Sequence, residues 1–135
     1  MKKHQKLDII RDTGVIAIMR AQSSDQLIAA ADAIKAGGVQ VIEVTMTTPG
    51  ALRVIEQAKQ RYGADVLFGA GSVLDPETAR AALLAGADFI VAPTLNLAVV
   101  ALCNRYAVPV IPGIYTPTEA LTAIEAGADI HMRNQ

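Results

Sequence analysis

Residues 39–47 read Val-Gln-Val-Ile-Glu-Val-Thr-Met-Thr, and the placement of Glu43 within them decides the fold. The run has the length and β-branched content of a buried parallel strand. With a period of two, Val41, Glu43, Thr45 and Thr47 share one face, and Gln40, Ile42, Val44 and Met46 share the other. A central strand covered by helices on both sides should not spend an interior position on a carboxylate, because burying an unpaired one is costly. A barrel whose interior opens into a polar mouth gives that carboxylate a place.

The stretches around this strand repeat its design. Strand patterns fall at 15–20, 39–47, 64–69, 88–93 and 108–112, and a last one begins near Asp129. Helical patterns lie between them at 24–36, 49–61, 76–86, 95–106 and 117–127, and an amphipathic helix precedes them at 3–12. Ser23 with Gln26 and Thr116 with Glu119 form capping boxes. Pro49, Pro76 and Pro117 follow Thr48, Asp75 and Thr116 as first helical residues after N-caps. Ala36-Gly37-Gly38-Val39, Ala85-Gly86-Ala87-Asp88 and Ala126-Gly127-Ala128-Asp129 each end a helix and launch a strand, with glycines 49 and 41 residues apart. Repeated strand–helix units imply right-handed crossovers and a parallel sheet. An open doubly wound sheet and a (β/α)8 barrel both satisfy that pattern. Glu43, together with Arg20 at the end of the first strand on the face of Ile16 and Ile18, favours the barrel. Polar residues gathered at the C-terminal ends of successive strands are the mark of a barrel active site.

Composition sets the limits. The 135 residues make one domain at most, 1–135, with 52% apolar and 19% charged residues, a globular balance. Twelve basic and thirteen acidic residues leave a net charge of −1, and no basic cluster exceeds Lys2-Lys3, so nucleic acid is not an expected partner. No apolar run approaches the roughly 20 residues of a membrane span. Residues 1–14 lack the apolar core of a signal peptide, and a cytoplasmic location is expected. A single cysteine, Cys103, excludes an internal disulfide and reads as a core residue on an apolar helix face. His4 and His131 have no spaced partners, so neither a metal nor any other cofactor is expected.

Glu43 is the leading catalytic candidate as a proton-transferring group, and a structural ion pair with Arg20 is the competing account. Gly69-Ala70-Gly71-Ser72 ends the third strand. It is a poor dinucleotide fingerprint, because Leu74 stands at the third glycine. It reads either as a loop that brings backbone N–H groups and the Ser72 hydroxyl to an anion, or as a tight turn needing glycine. Pro93-Thr94 and Pro112-Gly113 end the fourth and fifth strands, where they line a site or simply turn the chain.

In order, Val15-Ile16-Ala17-Ile18-Met19-Arg20, Val41-Ile42-Glu43-Val44-Thr45, Gly69-Ala70-Gly71-Ser72-Val73, and Ile111-Pro112-Gly113 with Thr116-Pro117-Thr118-Glu119 resemble the 2-dehydro-3-deoxy-phosphogluconate (KDPG) / 4-hydroxy-2-oxoglutarate (KHG) aldolases. The resemblance runs over about residues 8–130. It implies a (β/α)8 barrel, usually trimeric, and a metal-independent class I lyase of carbohydrate metabolism, as in the Entner–Doudoroff route. Such an enzyme cleaves a 2-keto-4-hydroxy acid to pyruvate and an aldehyde through a lysine Schiff base. By the same resemblance Glu43 shuttles protons. Arg20, Thr45, Ser72, Pro93, Thr94 and Pro112 are substrate-binding candidates, and so is Thr47, which stands where some members carry a second arginine.

The pattern breaks at the sixth strand. The family follows Gly-Ala-Asp with two apolar residues, lysine and Leu-Phe-Pro. Here Gly127-Ala128-Asp129-Ile130 leads to His131, Met132, Arg133, Asn134 and Gln135, and Met132 takes the lysine position. Lys2, Lys3, Lys6, Lys35 and Lys59 lie on or beside predicted helices, out of reach of the mouth. The expected architecture is a partial barrel of about five complete βα units, its last residues reading as a frameshift, a shortened reading frame or an engineered junction. The alternative to an aldolase is then an inactive partial barrel that binds small anions or self-associates.

Overall fold

Strands and helices alternate along the whole chain in the computed structural model, which describes residues 1–20 and 24–133. The order is α1 (Lys3–Thr13), β1 (Ala17–Met19), α2 (Ser24–Ala36), β2 (Val41–Thr45), α3 (Ala51–Tyr62), β3 (Leu67–Gly71), α4 (Pro76–Leu84), β4 (Phe89–Ala92), α5 (Leu97–Arg105), β5 (Val110–Ile114), α6 (Pro117–Glu125) and β6 (Met132–Arg133). The six strands form one sheet in sequence order, and every pairing is parallel. Five strands with a two-residue sixth match the partial (β/α)8 barrel expected from the sequence.

Both faces of the central strands β2 to β5 are buried, and each has its own core, whereas Ile18 of β1 and both residues of β6 are exposed at the sheet edges. Ile42, Val44, Phe68, Ala70, Ile90 and Val110 face the helices and pack on Val54, Ile55, Ala79, Val99 and Val100. Val41, Leu67, Phe89, Val91 and Ile111 converge on the concave side with Ile10 of α1, which closes the N-terminal end of the curled half-barrel. The alternation inferred for residues 41–45 is thus the observed one. Cys103 lies in the helix-side core, where burial pushes its thiol up to about 11, so it is an inert packing residue.

Several boundaries shift for local reasons. The third strand starts at Leu67 because Asp65 donates its N–H to the Tyr62 carbonyl in a turn and pairs with Lys35. The fifth starts at Val110, after Val108 donates to the Cys103 carbonyl and Pro109 offers no donor. Thr116 and Glu119 make the expected capping box, and Asp75 caps α4 by accepting from the Thr78 N–H. Thr48 is not the cap of α3. Gly50 holds that position in a left-handed conformation, and the Thr48 hydroxyl turns instead to Thr45. Ser23 of the other expected capping box lies outside the described residues.

The Gly-Ala-Asp repeat proves to be a clamp on the barrel floor. The Asp88 carboxylate accepts the Phe68 N–H at 3.1 Å and pairs with Lys59 at 2.7 Å and Lys6 at 3.0 Å. Asp129 does the same one pair of units later, accepting the Val110 N–H at 3.1 Å and pairing with Lys3 at 2.9 Å. Each aspartate ties its own strand to the one before it. Two of the three lysines come from α1, so the same contacts latch that helix across the floor.

Candidate active site

The opposite end of the barrel collects the polar groups. Glu43 projects from the middle of β2 into the concave side, only 6% exposed, and lines a cavity of about 530 Å3. Most of the other lining is apolar, among it Ile16, Ile18, Val91, Ile111, Ile130 and Met132, with Arg11 and His131 as the further polar residues. Burial raises the Glu43 carboxyl above its usual range, and the positive charge of Arg20 opposes that rise. No direct ion pair joins the two among the described residues, so Glu43 is not consumed by the structural bridge that competed with a functional role. A carboxyl whose proton affinity is raised by burial is suited to proton transfer.

Beyond Glu43 the strand ends in a short chain of hydroxyls. Thr47 donates to Thr45 at 3.2 Å, and Thr45 shares a hydrogen bond with Thr48 at 3.3 Å. Thr45 and Thr48 are buried and Thr47 is exposed. Sequence reasoning missed Thr48 because Thr-Pro reads as a helix start; its spacing of three from Thr45 was the available signal.

Next to this chain, β3 ends in Gly71, which opposes Thr45 and whose carbonyl accepts the Met46 N–H at 2.8 Å. Ser72 follows with φ at +58°, half-buried at the strand-to-helix turn. The left-handed residue of this turn is therefore a serine and not one of the neighbouring glycines. Such a conformation costs a non-glycine residue about 1–3 kcal/mol and persists where the surroundings impose it. Ser72→Gly is expected to stabilise the chain by ~0.5–1 kcal/mol once the entropy of the added glycine is set against the relieved strain. A denaturant midpoint that falls instead would mean that the serine side chain supports the fold.

Pro93 is half-buried and Thr94 exposed at the end of β4, on the rim of the same mouth. Pro112 is elsewhere. It pairs with Ala92 and shares the face of Val110, toward the helices, while Ile111 and Gly113 face inward. Met132 pairs with Gly113, so its side chain enters the cavity that Glu43 lines. Lys3, Lys6, Lys35 and Lys59 are held by Asp129, Asp88, Asp65 and Asp88 before the strands, at the floor, and Lys2 precedes α1. None of the five lysines of the sequence is at the mouth. Among the described residues no group of His, Cys, Asp and Glu could hold a metal, and no helix is long and apolar enough to cross a membrane.

A family model described as KDPG and KHG aldolase matches residues 7–131. The chain is 40% identical over 126 residues to 2-dehydro-3-deoxy-phosphogluconate aldolase of Treponema pallidum (strain Nichols), across 93% of this chain and 58% of that protein. It superposes on the native KDPGal structure with a TM-score of 0.84 at 35% identity, over 87% of this chain and 57% of the other. A third likeness is to KDPG aldolase from Legionella pneumophila with pyruvate captured at low pH as a covalent carbinolamine intermediate. There the TM-score is 0.79 at 28% identity, over 84% of this chain and 55% of that one. The chain spans a little over half the length of these relatives.

Proposed function

The chain belongs to the KDPG and KHG aldolase family, and from that we propose that its barrel mouth binds a 2-keto acid and handles protons there through Glu43, as one part of a class I aldolase site. The observation that carries the reading is a single buried carboxylate facing a mostly apolar cavity, within electrostatic reach of Arg20. A keto acid needs a cation or N–H donors for its carboxylate, and Arg20 with the Ser72 turn supplies candidates for both. Its carbonyl carbon then lies toward the apolar interior, near Glu43.

For the complete reaction an amine must attack the C2 carbonyl of a 2-keto-4-hydroxy acid and lose water to leave an iminium. Glu43 as carboxylate takes the C4 hydroxyl proton while the C3–C4 bond breaks. The aldehyde departs and the bonding pair flows into the iminium to give an enamine. The protonated Glu43 returns its proton to C3, directly or through water, and hydrolysis of the imine frees pyruvate and the amine. Capture of pyruvate as a covalent carbinolamine in the Legionella relative supports the amine-addition step. In this chain Met132 enters the cavity where an amine would be required. That observation favours a second reading for the 135-residue chain by itself: it binds the keto acid without cleaving it.

Both readings share a binding step, and amide chemical shifts on titration with pyruvate test it. Shifts centred on Glu43, Thr45 and the Gly71-Ser72-Val73 turn, weakened by Arg20→Ala, are expected. Shifts centred on the lysines of the floor, or none at millimolar pyruvate, would contradict the proposal.

A further inference from the structure

The two glycines of Gly69-Ala70-Gly71 lie in β3 with ordinary backbone angles, so conformational freedom does not explain them. Space does, and differently for each. A Cβ built on Gly69 would run into the ring of Phe89 in the concave core. A Cβ built on Gly71 would overlap the carboxylate end of Glu43, meeting Oε1, Cδ and Cγ. The Glu43 side chain therefore leans across from β2 and lies over the bare backbone of β3 at Gly71.

We infer that Gly71 is a positioning residue for Glu43, its missing side chain forming the seat over which the carboxylate lies. The seat has two consequences. It keeps the carboxylate partly out of water, the condition under which burial raises its proton affinity. It also fixes where the carboxylate lies, since a side chain at 71 would occupy the space that Oε1, Cδ and Cγ of Glu43 fill and would displace the carboxylate from its buried place. Gly69 has no part in this and serves only the packing of Phe89. The functional meaning of the seat rests on the reading of Glu43 as the proton-transferring group; the geometry of the seat does not.

The test follows the side-chain carboxyl carbon of Glu43 by NMR in 13C-glutamate-labelled protein. Its titration midpoint is measured in the wild-type chain, in Gly71→Ala and in Gly69→Ala, with Glu56, Glu77, Glu119 and Glu125 as internal references. Gly71→Ala is expected to lower the Glu43 midpoint toward that of an ordinary glutamate. Gly69→Ala is expected to lower the denaturant midpoint while leaving the Glu43 titration in place. A Glu43 midpoint in folded Gly71→Ala equal to or above the wild-type value overturns the inference. If Gly71→Ala does not fold, the double variant with Glu43→Ala decides, provided that Glu43→Ala alone folds. Recovery of the fold when the carboxylate is removed supports the seat, and failure to recover it overturns the seat. None of these readouts needs pyruvate, so an absence of keto-acid binding would sink the proposed function and leave this inference standing.

Discussion

Met132→Lys is expected to convert a chain that gains no borohydride-stable adduct from pyruvate into one that gains a single adduct. The wild-type chain has five lysines, and four are held in ion pairs at the floor while Lys2 precedes α1. Those four amines are tied to carboxylates at the end of the barrel opposite the mouth, away from a carbonyl bound there. Position 132 is different, because it pairs with Gly113 on the concave face and enters the Glu43 cavity. An amine placed there faces the same cavity as Glu43, within reach of the carbonyl of a keto acid bound in it. Intact-mass measurement after reduction, followed by peptide mapping, reads the result. An adduct on the wild-type chain, or one on the variant that maps to the floor lysines, would show that the chemistry is placed wrongly.

Asp88→Ala should be the most damaging single change at the floor, at about 3–5 kcal/mol. The carboxylate is almost fully buried and joins Lys6, Lys59 and the Phe68 N–H. Its removal leaves two ammonium groups confined without their counter-charge and a buried backbone donor without a partner. It also cuts one of the two ion pairs that hold α1 to the floor, and so loosens the helix whose Ile10 closes the concave core. Against a total stability of roughly 5–15 kcal/mol for a domain, that is a large fraction. Asp65→Ala breaks the more exposed pair to Lys35 and should cost at most ~1 kcal/mol. Denaturant midpoints for the two variants compare them directly. Equal losses would mean that the floor clamp is only a surface feature.

Much of this was readable without coordinates. A glutamate in the middle of a Val/Ile strand contradicts helices on both faces, and that contradiction led to the barrel. The Ala-Gly-Ala-Asp repeat marked helix-to-strand junctions, although its role as a clamp depends on carboxylates that reach back to the preceding strand, which spacing cannot reveal. Pro112 illustrates a stricter limit. Side chains alternate faces along a strand, so a residue adjacent to two inward-facing ones must face out, and membership in a motif says nothing about which side it takes. The reason for Gly71 was hidden for another cause: the atoms it makes room for belong to Glu43, 28 positions earlier in the chain. Thr48 was masked by Pro49, whose presence suggested a helix that begins instead at Ala51.

Proton transfer by Glu43 in this mouth can be isolated from imine formation. In D2O, an imine of pyruvate exchanges its methyl protons through the enamine, and 1H NMR follows the loss of the methyl signal. Met132→Lys is expected to catalyse this exchange. Adding Glu43→Gln should slow it by about 10²–10⁴-fold while the borohydride-trapped adduct still forms. Exchange that continues undiminished without the Glu43 carboxylate would show that another group moves the proton.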